Sequence, residues 1–170
     1  VIQAKDSLHG ANKLAQNQAD SNSIINQSSN LNDKQKQALN DLINHAQTKQ
    51  QVAEIIAQAN KLNNDMGTLK TFVEEQSKVH QQSKYINEDP QVQNIYNDSI
   101  QKGQEILNGT TDDVLNNNKI ADAIQNIQLT KNDLHGEQKL QKAQQDANNE
   151  LNYLTNLNNS QRQSEHDEIN

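Results

Sequence analysis

Residues 48–73 read TKQQVAEIIAQANKLNNDMGTLKTFV, and within them Val52, Ile55, Ala59, Leu62, Met66, Leu69 and Val73 recur at alternating steps of three and four. Because about 3.6 residues complete a helical turn, that spacing gathers the apolar side chains into one stripe on one face. Thr48 and Gln51 stand as a capping box in front of the stripe. The hydroxyl can accept from an orphan backbone N–H, and the glutamine can reach back to the N–H of the cap. No strong stop signal follows before Gln82, so a single helix of roughly 50 Å is expected, at about 1.5 Å per residue. That exceeds the width of a small bundle, and such a helix must serve two.

The flanking stretches carry the same period. Upstream, one stripe runs Val1, Ala4, Leu8, Ala11, Ala15, Ile24 and Ile25, and a shorter one runs Ala38, Leu39, Leu42, Ile43 and Ala46. The shorter stripe follows Asn32, a cap with Gln35 at the third helical position. Three helices are therefore expected before Met66. Downstream, Asp89 can cap a helix whose first turn accepts Pro90, where the missing N–H is no loss. That helix should run to about Leu107, with Val92, Ile95, Tyr96, Ile100 and Ile106 as its apolar residues and Asn108-Gly109 as its stop. A further stripe through Ile120, Ala123, Ile124, Ile127 and Leu134 continues to Leu140, Ala147, Leu151 and Leu154 without a turn cluster, and reads as one long helix.

Composition agrees with an all-α chain. The 170 residues are 31% hydrophobic and only 2% aromatic, with a single proline, which argues against a sheet core rich in β-branched and aromatic residues. Asn and Gln supply about three residues in ten, but regular apolar spacing separates them, unlike a low-complexity tract. The net charge of -7 and the presence of a single arginine, Arg162, exclude a surface that tracks phosphates, so nucleic acid is not an expected partner. No stretch approaches the roughly 18–20 apolar residues of a membrane span. The chain has no cysteine, hence neither disulfides nor thiolate metal sites.

The chain also overlaps itself. Lys5, Leu8, His9, Gly10, Lys13 and Leu14 recur as Lys131, Leu134, His135, Gly136, Lys139 and Leu140. The register continues through Asn30, Leu31, Asn32 and Gln35, which return as Asn156, Leu157, Asn158 and Gln161, to the closing Asp167, Ile169 and Asn170. A second copy begun and not finished implies a longer array. The expected organisation is a three-helix bundle over 1–66, a second over 67–134, and the start of the next repeat over 135–170. Long shared helices would join these tandem bundles into an elongated rod, with the residues from about Asn159 poorly anchored. Gly67 lies midway along the central helix, and Gly10 and Gly136 lie in equivalent runs of the other long helix. They read as structural junctions permitting a bend or close approach, against the plainer reading of exposed glycines that are merely tolerated.

Two segments resemble known modules. Leu31-Asn-Asp-Lys-Gln-Lys through Thr48, Val52, Ala59, Leu62-Asn63 and Met66 is similar to a GA module. Tyr85-Ile-Asn-Glu-Asp-Pro90 through Tyr96, Ile106-Leu-Asn-Gly-Thr110 and the helix to Leu134 is similar to a FIVAR module. The alternating pair resembles the repeat unit of the giant staphylococcal extracellular-matrix-binding surface proteins of the Ebh and Embp type. That resemblance implies a cell-surface or cell-wall-associated rod of three-helix bundles that attaches bacteria to host matrix, fibronectin in particular, and supports biofilm growth. Some GA modules bind serum albumin through the second helix and its flanks, which here would be Leu31 to Val52.

Chemistry is not expected. His9, His45, His80, His135 and His166 include no pair with helical metal-site spacing. Glu74-Glu75, Glu88-Asp89 and Asp112-Asp113 are sequence neighbours placed where solvated faces, turns or caps occur, and they read as surface. There is no phosphate-cradling glycine loop and no nucleophile elbow. A monomeric, cofactor-free adhesin unit with weak, repeated contacts is the leading expectation. A structural spacer with no ligand of its own is the rival.

Overall fold

The computed structural model describes residues 2–170, with side chains from Gly10 onward. The expected apolar positions Val1, Ala4 and Leu8, together with His9, lie outside the described side chains. The helices are α1 (Ile2–Gln27), α2 (Asp33–His45), α3 (Lys49–Glu74), the single turns α4 (Gln76–Val79) and α5 (Ser83–Ile86), α6 (Pro90–Leu107), α7 (Asn117–Asn132), α8 (Gly136–Tyr153) and α9 (Asn159–Ile169). No strand occurs among the described residues, and the chain is all-α. It divides into two compact units, residues 1–74 with 99–128 and residues 75–98 with 129–170.

In the first unit, α1, α2 and α3 pack on one another. The stripe on α3 buries Val52, Ala59, Leu62, Met66, Leu69 and Val73, with Ile55 half-buried. Helix α2 buries Gln35, Leu39 and Ile43 behind a capping box. Asn32 Oδ1 accepts from Gln35 N–H at 3.0 Å, and Gln35 Oε1 accepts from Asn32 N–H at 3.1 Å. Thr48 starts α3 in the same way: its Oγ1 accepts from Gln51 N–H at 3.1 Å, and Gln51 Oε1 accepts from Thr48 N–H at 3.2 Å.

Helix α1 departs from its expected stripe. Ala11 and Ala15 are exposed, and burial falls on Ser21 and Ile25. The reason is a seam of amides. Gln18 Nε2 donates to Ala46 O at 3.1 Å and to Ile43 O at 2.9 Å, a carbonyl that also accepts the Ala46 N–H closing α2. Asn22 Nδ2 donates to Asn44 Oδ1, and Asn40 Nδ2 to Asn26 Oδ1, each at 2.8 Å. A search for apolar spacing passes over such a seam.

The two longest expected helices are both shorter than the pattern suggested. Helix α3 stops at Glu74, not near Gln82. The next buried apolar residue after Val73 is Val79, six positions on and about 120° round a straight helix, so both cannot face one core without a break. Helices α7 and α8 are likewise separate, interrupted at residues 133–135. Leu134 and Leu140 are also six apart. Helix α9 buries no residue, and Glu165 stands there at the repeat position of the fully buried Leu39.

Glycine serves close packing at two points of this unit. A Cβ on Gly67 would lie 2.7 Å from Asn30 Nδ2. Asn30 is itself tied to α3, its N–H donating to Asn63 Oδ1 at 3.0 Å. A Cβ on Gly103 would come within 3.0 Å of Val73, 3.1 Å of Ile127 and 3.2 Å of Leu69. At the end of α6, Gly109 takes φ +66°, and its N–H donates to Ile106 O while Thr110 N–H donates to Glu105 O, both at 3.0 Å. That pair of bonds is a Schellman stop.

Leu39→Ala is expected to lower stability by about 2–5 kcal/mol, as a cavity in a closed core does. Gly103→Leu should cost about 1–3 kcal/mol through overpacking. Leu42→Ala, at a position 43% exposed, should stay within about 0.5 kcal/mol. Urea unfolding followed by circular dichroism checks all three, and equal losses at Leu39 and Leu42 would contradict the assigned core.

Candidate interaction surfaces

Among the described residues no group of three or more His, Asp or Glu side chains could hold a metal ion. The described histidines with ring bonds are occupied locally: His45 Nδ1 bonds Asp41 O at 2.7 Å, His80 Nε2 bonds Asn97 Oδ1 at 2.9 Å while its ring stacks on Tyr85, and the His166 ring lies 3.4 Å from Asn170 Nδ2.

The first unit carries open hollows, two of which concern contact with a partner. One of ≈ 460 Å³ lies between α6 and α7, with Ile106 and Ala123 in its lining beside Lys102, Glu105, Lys119 and Asp122. The second, ≈ 450 Å³, is formed by Leu42, His45 and Ala46 with Gln51, Glu54 and Ile55. It falls within and beside the Leu31–Val52 segment singled out for albumin. Both offer an apolar patch ringed by polar side chains, suited to contact with a macromolecular surface.

The most strongly built polar cluster lies in the second unit. Asn87 closes the turn of α5, its Nδ2 donating to Ser83 O at 3.1 Å, and Pro90 begins α6. Between them the Glu88 side chain is only 1% exposed. Its Oε1 accepts from Asp89 N–H at 2.8 Å and from Lys139 Nζ, and its Oε2 accepts from His135 N–H. Lys139 Nζ also donates to Asp89 Oδ2 at 2.5 Å. Leu134 is buried beside this cluster in sequence, and Lys131 Nζ pairs with Glu75 Oε2 at 2.6 Å.

Three expectations change here. Glu88, read as surface, is buried, because two backbone N–H groups and an ammonium replace the water it loses. Asp89, read as a side-chain cap of α6, gives its carboxylate to Lys139; its carbonyl accepts from Val92 and Gln93 N–H at 3.0 Å and so starts the helix. Gly136, read as lying inside a long helix, is the first residue of α8. A Cβ there would lie 2.6 Å from Lys84 O and 2.7 Å from Glu88 N, so the backbones touch where only hydrogen fits. Gly10, its repeat equivalent, lies inside α1, where an added Cβ would meet nothing within 4 Å. Sequence reasoning gave Glu88 a surface place and assigned no role to Lys139, Gly103 or Gln18. The recurrence of Lys13 as Lys139 and of Gln18 as Gln144 was the available signal.

Burial pushes the Glu88 carboxyl up, and the hydrogen bonds from Lys139, Asp89 and His135 outweigh it, lowering the pKa from 4.5 to about 2. The carboxylate therefore stabilises the fold fully above pH 4.5 and loses that contribution as pH falls towards about 2. Glu88→Gln is expected to cost about 1–3 kcal/mol at neutral pH. The gap between the urea midpoints of the two proteins should narrow as pH falls from 4.5 towards 2; a gap independent of pH would contradict a buried, ionised Glu88.

Residues 11–65 and 137–170 match the GA module family, and residues 65–135 match the FIVAR domain family. Extracellular matrix-binding protein EbhA of Staphylococcus aureus is 41% identical over 170 residues, which is 100% of this chain and 2% of that protein. The chain thus spans a small fraction of the curated relatives it matches. A solved structure of an EbhA domain from Staphylococcus aureus aligns with a TM-score of 0.88 at 25% identity, covering 99% of this chain and 69% of that one. Another, from work on Embp-mediated Staphylococcus epidermidis adherence to fibronectin, aligns with a TM-score of 0.69 at 35% identity, covering 74% of this chain and 99% of that one. The chain belongs to the family of GA and FIVAR modules, in the alternating arrangement of the staphylococcal extracellular-matrix-binding proteins.

Proposed function

We propose that this chain is a non-enzymatic repeat unit of a bacterial cell-surface adhesin. It binds host extracellular matrix, fibronectin in particular, and by doing so supports attachment and biofilm growth. The observation that carries this reading is similarity along the whole chain to an extracellular matrix-binding protein, joined to a solved relative studied for adherence to fibronectin. The protein works outside the cell, at the surface or associated with the wall, as a monomer without cofactors.

The mechanism is avidity. Open hollows with mixed polar rims offer weak individual contacts, and tandem copies raise the effective concentration of each further contact once the first has formed. The net charge of -7 favours basic partner surfaces through attraction that salt screens.

Titration of the isotope-labelled chain with fibronectin fragments should produce amide shift changes confined to one patch, weakened as ionic strength rises. No change at about millimolar concentration and low salt would sink matrix binding by this unit and favour a spacer without a ligand. The same titration with serum albumin separates the remaining reading, which requires shifts over residues 31–52.

A further inference from the structure

We propose that Asn108 is a site of spontaneous deamidation held in check by the stop at the end of α6, and that its conversion to isoaspartate releases the tie between that stop and the start of α2.

Asn108-Gly109 is the single Asn-Gly pair in the chain. In such a pair the attacking group is the glycine nitrogen, which no side chain of its own shields. Hydroxide removes the Gly109 N–H proton, the nitrogen bonds to Asn108 Cγ, and the Cγ–Nδ2 bond breaks. The side-chain nitrogen takes a proton from water and leaves as ammonia. Water then opens the cyclic imide at either carbonyl. Cleavage of one C–N bond restores the backbone with aspartate at position 108; cleavage of the other leaves isoaspartate, whose backbone runs through the former side chain. Asn108 is exposed, so base and water reach it.

Folding opposes the first step. Gly109 N–H donates to Ile106 O at 3.0 Å, and Gln104 Nε2 donates to Asn108 Oδ1 at 3.2 Å, drawing the amide back along α6 and away from the nitrogen that follows it. The stop is braced from α2. Asn32 Nδ2 donates to the same Ile106 O at 3.1 Å, and a Cβ on Gly109 would lie 3.1 Å from Asn32 Cγ. Glycine is thus required at 109 both by φ +66° and by this contact, whereas the Asn108 amide meets the exposed Gln104. Attack therefore proceeds from the opened stop, at a rate that follows the open population when opening is fast relative to the chemistry. Isoaspartate adds a methylene to the backbone between Leu107 and Gly109. The Gly109 and Thr110 N–H groups then no longer fall opposite Ile106 O and Glu105 O, the bonds that make the stop. The new carboxylate also stands at the C-terminal end of α6, where the helix dipole disfavours negative charge. Each opening that ends in reaction is irreversible, and the stop does not re-form.

The test is ageing of the full chain in mildly alkaline buffer, with and without concentrated guanidinium chloride, followed by trypsin and mass spectrometry of the peptide 103–119. Asn108 should be the first asparagine converted in both conditions, faster in denaturant by on the order of tenfold or more. Asn32→Asp keeps the cap acceptor of α2 and removes the donor to Ile106 O. Without denaturant it should convert about two- to tenfold faster than wild type, as loss of one hydrogen bond from the closed stop implies. Equal rates with and without denaturant, an unchanged rate in Asn32→Asp, or earlier conversion of another asparagine would overturn the inference. The isolated isoaspartate product should lose amide protection at Gly109 and Thr110 and show a shifted Asn32 side-chain amide by NMR, whereas Asn108→Gln aged alongside should keep both. Retained protection at those two amides in the isoaspartate form would count against release of the tie.

Discussion

One face of α3 is the constraint on which the first unit depends. Leu62, Met66 and Leu69 are fully buried, and Val52, Ala59 and Val73 nearly so. Over its first half this face closes the bundle with α1 and α2. Over its second half, Leu69 and Val73 meet Gly103 and Ile127. A single uninterrupted helix thus supplies a wall to two sets of partners. The GA and FIVAR matches meet at residue 65, inside that helix. With only 31% hydrophobic residues, the chain concentrates its apolar side chains on such shared faces.

Amides and ions do much of the remaining positioning. Asn32 both caps α2 and, through Nδ2, donates to Ile106 O at 3.1 Å; Gln35 Nε2 donates to Val114 O at 3.0 Å. The capping box at the start of α2 is therefore also a tie to the segment that ends α6. Gln18 completes the other end of α2, and Gln144 repeats that bond on Ile169 O at 2.9 Å. Glu88 is the costliest of these groups to bury. Its three donors offset the desolvation, and the arrangement sets where α8 begins more than it adds net stability, as buried ion pairs commonly do.

Much of the architecture was legible along the chain because its causes are local. The α3 stripe, the capping boxes at Asn32 and Thr48, the Pro90 start and the Gly109 stop each depend on residues within a few positions of one another. The Asn158–Gln161 box repeats that of Asn32 in the second copy. The amide seam on α1 and the burial of Glu88 were not legible. Gln18 and Ile43 are 25 residues apart, Glu88 and Lys139 are 51 apart, and nothing in either neighbourhood indicates which remote group arrives.

The sharpest case is one tripeptide in two places. The sequence by itself determined an all-α chain with repeating bundles, since helical periodicity and capping are properties of short segments. Leu8-His9-Gly10 and Leu134-His135-Gly136 are identical, yet the first belongs to α1 and the second runs from a break into the first residue of α8. Only tertiary structure decided between them. Where the Glu88 carboxylate and the backbone of residues 84–88 are present, they take the histidine N–H and demand a bare glycine, and the helix yields.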